Sequence, residues 1–153
     1  MADITPIEKT IEVGASPQHA FEFFTAHLGD WWPVHSHSIG ASVHDTPPDH
    51  VIMEPQVGGR IYEVMADGTE HDWGKIRVWA PHSRLVFSWQ FHKPDSQATE
   101  VEVHFAPIGH GRTRVDLTHR HWDNDPNGKE LREGYQSGWD PVLASYKSGV
   151  AAD

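Results

Sequence analysis

The chain is 153 residues long, with 37% hydrophobic and 22% charged residues, seven Trp and six Phe. That is enough for one aromatic-rich core and too aromatic for a disordered chain. It has no cysteine, which excludes disulfides, thiolate metal centres, Fe–S clusters and Cys nucleophiles. Twelve Lys and Arg stand against twenty-two Asp and Glu, a formal charge of −10, and no basic patch interrupts that balance. Nucleic acid and an anionic membrane surface are therefore not expected as partners.

No apolar run reaches the ~18–20 residues of a membrane span. The opening Met1-Ala2-Asp3-Ile4-Thr5-Pro6 lacks the basic and apolar regions of a signal peptide. The expectation is a cytoplasmic protein with a single domain over 1–153 and its core at about 6–147.

Ile7, Ile11 and Val13 alternate with polar residues and predict a first strand, ended by Gly14. Ser16-Pro17 reads as the cap and first residue of a helix. Ala20, Phe21, Phe23, Phe24 and Leu28 supply its apolar side, and Gly29 and Pro33 stop it. Residues 33–50 read as an irregular segment rich in His, Ser, Asp and Pro. Strands follow at 51–56, 60–66, 70–79, 84–92, 99–106 and 112–122, separated by Gly, Pro and Asp-Gly turns. The period then changes. Leu131, Tyr135, Trp139, Leu143 and Tyr146 recur at helical spacing, with Pro141 inside the pattern, where a kink is expected.

The six later strands have hairpin-length connections, so the sheet is antiparallel. Each has one apolar face that needs one cover, and the long last helix is available for it. The expected fold class is α+β: a curved seven-stranded antiparallel sheet wrapped around a long C-terminal helix.

Local motifs agree with this order. They include Phe21-Glu22-Phe23-Phe24-Thr25, Trp31-Trp32-Pro33, Gly58-Gly59-Arg60, Trp73-Gly74-Lys75-Ile76, the run from Pro81 to Trp89, Leu117-Thr118-His119 and Gly138-Trp139. As a set they resemble the START-like (SRPBCC, helix-grip) superfamily. Within it the chain looks like the branch named for the activator of Hsp90 ATPase. The resemblance implies an internal cavity between sheet and long helix that holds lipids, polyketides, hormones or other apolar molecules. Some relatives are cyclases or dehydratases, and the family name comes from a co-chaperone. One departure is His121, where the family commonly has a small residue two positions after the last-strand His.

Alternation gives the inward residues, and with the helix they form the candidate ligand-binding set. These are Trp32, Met53, Tyr62, Val64, Ile76, Phe87, Trp89, Phe105, Leu117, His119, Tyr135 and Trp139. Val78 falls on the same face by the same count. His119 and His121 both follow Leu117 in register and are the polar candidates. Each reads as a hydrogen-bond anchor, as an acid/base, or as a structural histidine bonded to the core. No catalytic residue is assigned. Trp31-Trp32 reads either as a plug for the end of the barrel or as a rim in which Trp32 closes over a ligand.

His35, His37, His44-Asp45 and Asp49-His50 have ligand-type side chains but no standard metal spacing. Asp123-x-Asp125-x-Asn127-Gly128 imitates half an EF-hand, but the twelfth position is Gly134, so it reads as a turn and helix cap. No metal or cofactor is expected. The leading functional expectation is binding of a small apolar or aromatic molecule such as a lipid, polyketide or flavonoid. The alternatives are a cyclase, dehydratase or hydrolase using His119 or His121, and an Hsp90-type co-chaperone. The protein is expected as a monomer or homodimer.

Overall fold

The computed structural model describes residues 4–91 and 93–152, so the readings of residues 1–3 and of His92 fall outside it. The strands are β1 (Ile7–Val13), β2 (His50–Met53), β3 (Arg60–Val64), β4 (Glu70–Ala80), β5 (Arg84–Trp89), β6 (Thr99–Pro107) and β7 (Thr113–Arg120). The helices are α1 (Pro17–Ala26), α2 (Leu28–Trp31), α3 (Ile39–His44) and α4 (Gly128–Ala152). All strands pair antiparallel in one curled sheet of order β1-β7-β6-β5-β4-β3-β2. This is the helix-grip arrangement, with α4 gripped by the sheet.

The Ser16 hydroxyl accepts the His19 N–H at 3.2 Å and starts α1. Phe21 and Phe24 then meet Phe105 edge-on, with ring centroids 5.3 and 5.8 Å apart. The C-terminal half of α4 buries Trp139, Val142, Leu143, Tyr146 and Val150. The Tyr146 hydroxyl donates to the Ala20 carbonyl at 2.6 Å, tying α4 to α1. α4 continues through Pro141, which lies on its exposed side, where the Ser137 carbonyl loses its intrahelical partner.

Three sequence expectations are corrected. Residues 33–50 contain a helix, α3, capped by the Ser38 hydroxyl accepting the Ala41 N–H at 3.0 Å. β3 presents the opposite face from the one expected. Ile61 and Glu63 point into the core, while Tyr62 and Val64 are only half-buried on the outer side. Tyr62 there carries the Arg60 guanidinium 4.0 Å above its ring. Val78 is also turned outward: Ile76 pairs with Phe87 but Val78 with Val86, so Arg77 is an extra residue and alternation flips. Trp79 takes the inward place against Phe21, at 5.1 Å.

A second irregularity explains the Trp73-Gly74 pair. Ile61 aligns with Gly74 and Tyr62 with Asp72, leaving Trp73 as the extra residue, fully buried. A Cβ on Gly74 would sit 1.8 Å from the Ser88 carbonyl oxygen of β5. Gly74→Ala must therefore push β4 from β5, and we expect a loss of about 1–3 kcal/mol or more. Urea unfolding checks this, and an unchanged midpoint would refute it.

Candidate functional site

A cleft of about 300 Å³ opens between the N-terminal half of α4, the end of β5 and the segment from Trp32 to Ser42. Trp32, Trp89, Phe91, Tyr135 and Trp139 form its aromatic wall, Leu131 and Val142 extend it, and Gly134 and Gly138 form part of the α4 side. A Cβ at either glycine would meet nothing within 4 Å, so these positions are open space. Ser36, His37, Ser42 and Glu130 supply polar groups, and no Lys or Arg lines the cleft.

The aromatic wall is held rigidly. Trp32 packs on Trp73 at 5.1 Å and on Trp89 at 5.6 Å, and Phe91 stacks on Trp89 at 5.3 Å. Each indole N–H is committed. Trp32 donates to the His37 carbonyl at 2.6 Å, Trp73 to Glu63 at 2.7 Å, Trp89 to the Tyr135 hydroxyl at 2.8 Å, and Trp139 to His119 Nδ1 at 3.0 Å. A side chain tethered at its polar end and packed on its faces has little freedom left.

Glu63 secures the floor. Its carboxylate, fully buried, accepts the Ile39 and Gly40 N–H groups at 2.7 and 2.8 Å and the Trp73 indole N–H. His71 Nδ1 lies 3.2 Å from its second oxygen. The start of α3, and with it the Ser42 side of the cleft, thus depends on one carboxylate.

His119 is fully buried and points toward Tyr135 and Trp139, with ring centroids 5.1 and 5.9 Å away. Its protonation follows from its neighbours. Burial pushes it down to about 3, so it is neutral at pH 7. An indole can only donate, so Nδ1 accepts from Trp139 and the single ring proton sits on Nε2. Nε2–H then donates to Thr99 Oγ1 at 2.7 Å, and the Thr99 hydroxyl donates to the Trp89 carbonyl at 3.0 Å. Both ring nitrogens are engaged, and His119 lies behind the cleft wall rather than on it.

Of the expected ligand-binding set, Trp32, Trp89, Tyr135 and Trp139 come together at the cleft. Met53, Ile76, Phe87, Phe105, Leu117 and His119 are buried in the packed interior, and Tyr62 and Val64 face outward. Phe21, Phe24, Trp31 and Tyr146 pack into the core beside them, and the open space between sheet and α4 is the cleft at the N-terminal half of the helix. Phe24 lies 5.0 Å from Trp31 and 5.1 Å from Tyr146. His121 is corrected outright. β7 ends at Arg120, His121 adopts a left-handed φ of 69°, and its half-exposed ring turns toward Glu100 at 3.6 Å.

Reasoning from the sequence missed Ser36, His37 and Ser42 as cleft residues, and it missed the Gly134 and Gly138 gap. A signal for the gap was present: two glycines four apart, each followed by an aromatic of the α4 stripe. Asp125 caps a turn as expected, accepting the Asn127 N–H at 2.7 Å and pairing with Lys93 at 2.6 Å. Among the described residues no three His, Asp or Glu side chains gather as a metal-holding group. Nor is any described helix long and apolar enough to cross a membrane.

Comparison with known proteins agrees with this architecture. No curated protein matches the chain. Among solved structures, an anthrahydroquino-gamma-pyrone synthase is 36% identical over 95% of this chain and 97% of its own, with a TM-score of 0.68. CalC, a self-sacrificing resistance protein from Micromonospora echinospora, is 26% identical over 95% of this chain and 93% of its own, with a TM-score of 0.71. The Aha1 dimer from Colwellia psychrerythraea shares the fold at 20% identity, covering 97% of both chains with a TM-score of 0.69. The family model described as Activator of Hsp90 ATPase homolog 1-like protein matches residues 14–149, and the chain belongs to that family.

Proposed function

We propose that the protein binds a compact, uncharged, flat aromatic molecule in the cleft between α4, β5 and the Trp32–Ser42 segment. The observation that carries this reading is a tethered wall of Trp32, Trp89, Phe91 and Trp139 facing open space at Gly134 and Gly138. Flat rings gain most against such a wall through offset or edge contacts. The volume is at the lower end of ligand pockets, roughly 300–1,000 Å³, which favours a small polycycle over a long acyl chain. A carboxylate ligand would find Glu130 and no Lys or Arg, so fatty acids fit poorly.

Gly138→Leu tests this cleanly. Replacing a helix glycine should leave stability equal or raised by up to about 1 kcal/mol, while the new side chain fills the cleft. Titrated with flavone and followed by Trp fluorescence, the wild type should saturate and Gly138→Leu should lose at least about tenfold in affinity. A wild type with no saturable response, or a variant that binds equally well, would refute the reading.

A second reading is a synthase or cyclase acting on such a molecule, favoured by the 36% identity to a gamma-pyrone synthase along nearly the whole of both chains. The side chains placed for proton transfer at the cleft are His37, hydrogen-bonded to Ser36 at 2.7 Å, and Glu130. His37→Ala would then abolish turnover of an aromatic polyketide while sparing its binding. Co-chaperone action on an outer surface would survive both cleft substitutions.

A further inference from the structure

The hydrogen bonds behind the cleft run in one direction only, and their order leaves one proton unspent. Trp139 donates to His119 Nδ1, His119 Nε2–H donates to Thr99, and Thr99 donates to the Trp89 carbonyl. The Trp89 indole N–H donates in turn to the Tyr135 hydroxyl oxygen at 2.8 Å. An indole never accepts, so Tyr135 cannot return its own proton to Trp89. No other side chain or carbonyl among the described residues accepts it. Tyr135 lines the cleft, only half-buried, so that proton is available to a bound molecule.

We propose that Tyr135 is the specificity-determining group of the cleft, and that its hydroxyl donates to a carbonyl oxygen on the edge of a planar aromatic ketone or quinone. This rests on the aromatic-binding reading above and narrows its ligand class. The oxygen already holds the Trp89 N–H, so Tyr135 offers the ligand a donor and selects against a group that can only donate. Burial raises its titration, against the opposing Trp89 hydrogen bond, so the proton stays in place at neutral and mildly basic pH. The ring is fixed by contact with His119 at 5.1 Å and Trp122 at 5.7 Å, so the donor is preorganised. A carbonyl seated there lies against Trp89 and Trp139, where the rest of an aromatic ligand stacks.

The test uses two matched planar probes, flavone, which carries a ring carbonyl, and 2-phenylnaphthalene, which does not. Wild type should prefer flavone. Tyr135→Phe should weaken flavone by about 3- to 10-fold, the effect of one net hydrogen bond, and change 2-phenylnaphthalene by less than about twofold. An equal loss for both probes, or no loss for either, overturns the assignment while leaving aromatic binding intact. Failure of both probes to bind wild type overturns the aromatic-binding reading and this assignment with it. The infrared carbonyl band of flavone bound to wild type provides a readout independent of the variant's folding. It should lie at lower frequency than in a solvent without hydrogen-bond donors, and an unshifted band overturns the proposal.

Discussion

Glu63→Leu is expected to remove about 3–5 kcal/mol of folding stability, the range seen when one partner of a buried charged network is deleted. The carboxylate has no exposure and holds two backbone N–H groups of α3, the Trp73 indole and the His71 ring. A leucine fills the volume but leaves the Ile39 and Gly40 amides and the Trp73 indole facing hydrocarbon. Each unpaired buried donor costs about 1–3 kcal/mol, partly relieved by local movement. Glu63→Gln keeps one acceptor oxygen and should fall between the two. Urea unfolding gives the magnitude, and hydrogen exchange gives the place. The Ile39 and Gly40 amides should exchange far faster in Glu63→Leu than amides of β6 and β7. A loss below about 1 kcal/mol, or uniform exchange, would mean that α3 does not depend on this carboxylate. Because α3 borders the cleft, weaker ligand binding should accompany the loss of stability.

How the sequence hides Glu63 is instructive. Alternation locates a strand's faces by its apolar residues and so points Tyr62 and Val64 at the core. The rule fails where a carboxylate finds enough donors, and those of Ile39 and Gly40 come from residues 24 and 23 positions earlier in the chain. α3 escapes notice for a related reason. It has six residues and Ile39 as its main buried side chain, too short to show a helical period. The longer signals were legible. Leu85, Phe87 and Trp89 alternate in β5, and Trp139, Leu143 and Tyr146 mark the buried stripe of α4. The site lies between these extremes. Four of the five aromatics that line the cleft, Trp32, Trp89, Tyr135 and Trp139, are legible in the sequence, because large apolar side chains announce burial. The location of the gap is not, because empty space is set by how the layers separate along α4 rather than by any one residue.

His119 should make the fold lose stability on mild acidification, beginning above the range where carboxylates titrate. Its ordinary value is 6.5, and burial holds it at about 3 in the folded protein. The unfolded chain therefore binds the extra proton first. The contribution is complete above pH 6.5 and is lost as pH falls from there toward 3. Between pH 8 and pH 4.5 the expected loss is about 3 kcal/mol. Glu102 works in a lower window. Burial acts to raise its carboxyl, but hydrogen bonds from Arg84, Arg120 and His104 outweigh this and hold it at about 2, from an ordinary 4.5. Its contribution is present above pH 4.5 and is lost only as pH falls further, so the two groups separate on a pH axis. His119→Gln isolates the first. The Gln amide can still accept from Trp139 and donate toward Thr99, but it does not titrate. Melting temperatures at pH 8, 6 and 4.5 should fall in the wild type and stay nearly level in His119→Gln. Parallel curves for the two proteins would show that the histidine is not held neutral. His119→Ala should differ again, losing about 1–3 kcal/mol at pH 8 because the Trp139 N–H is left unpaired, with a deficit that shrinks toward pH 4.5 because the variant has no ring to titrate. Since Trp139 is a wall of the cleft, that variant should also bind aromatic probes more weakly, through the wall it no longer holds rather than through any contact of its own.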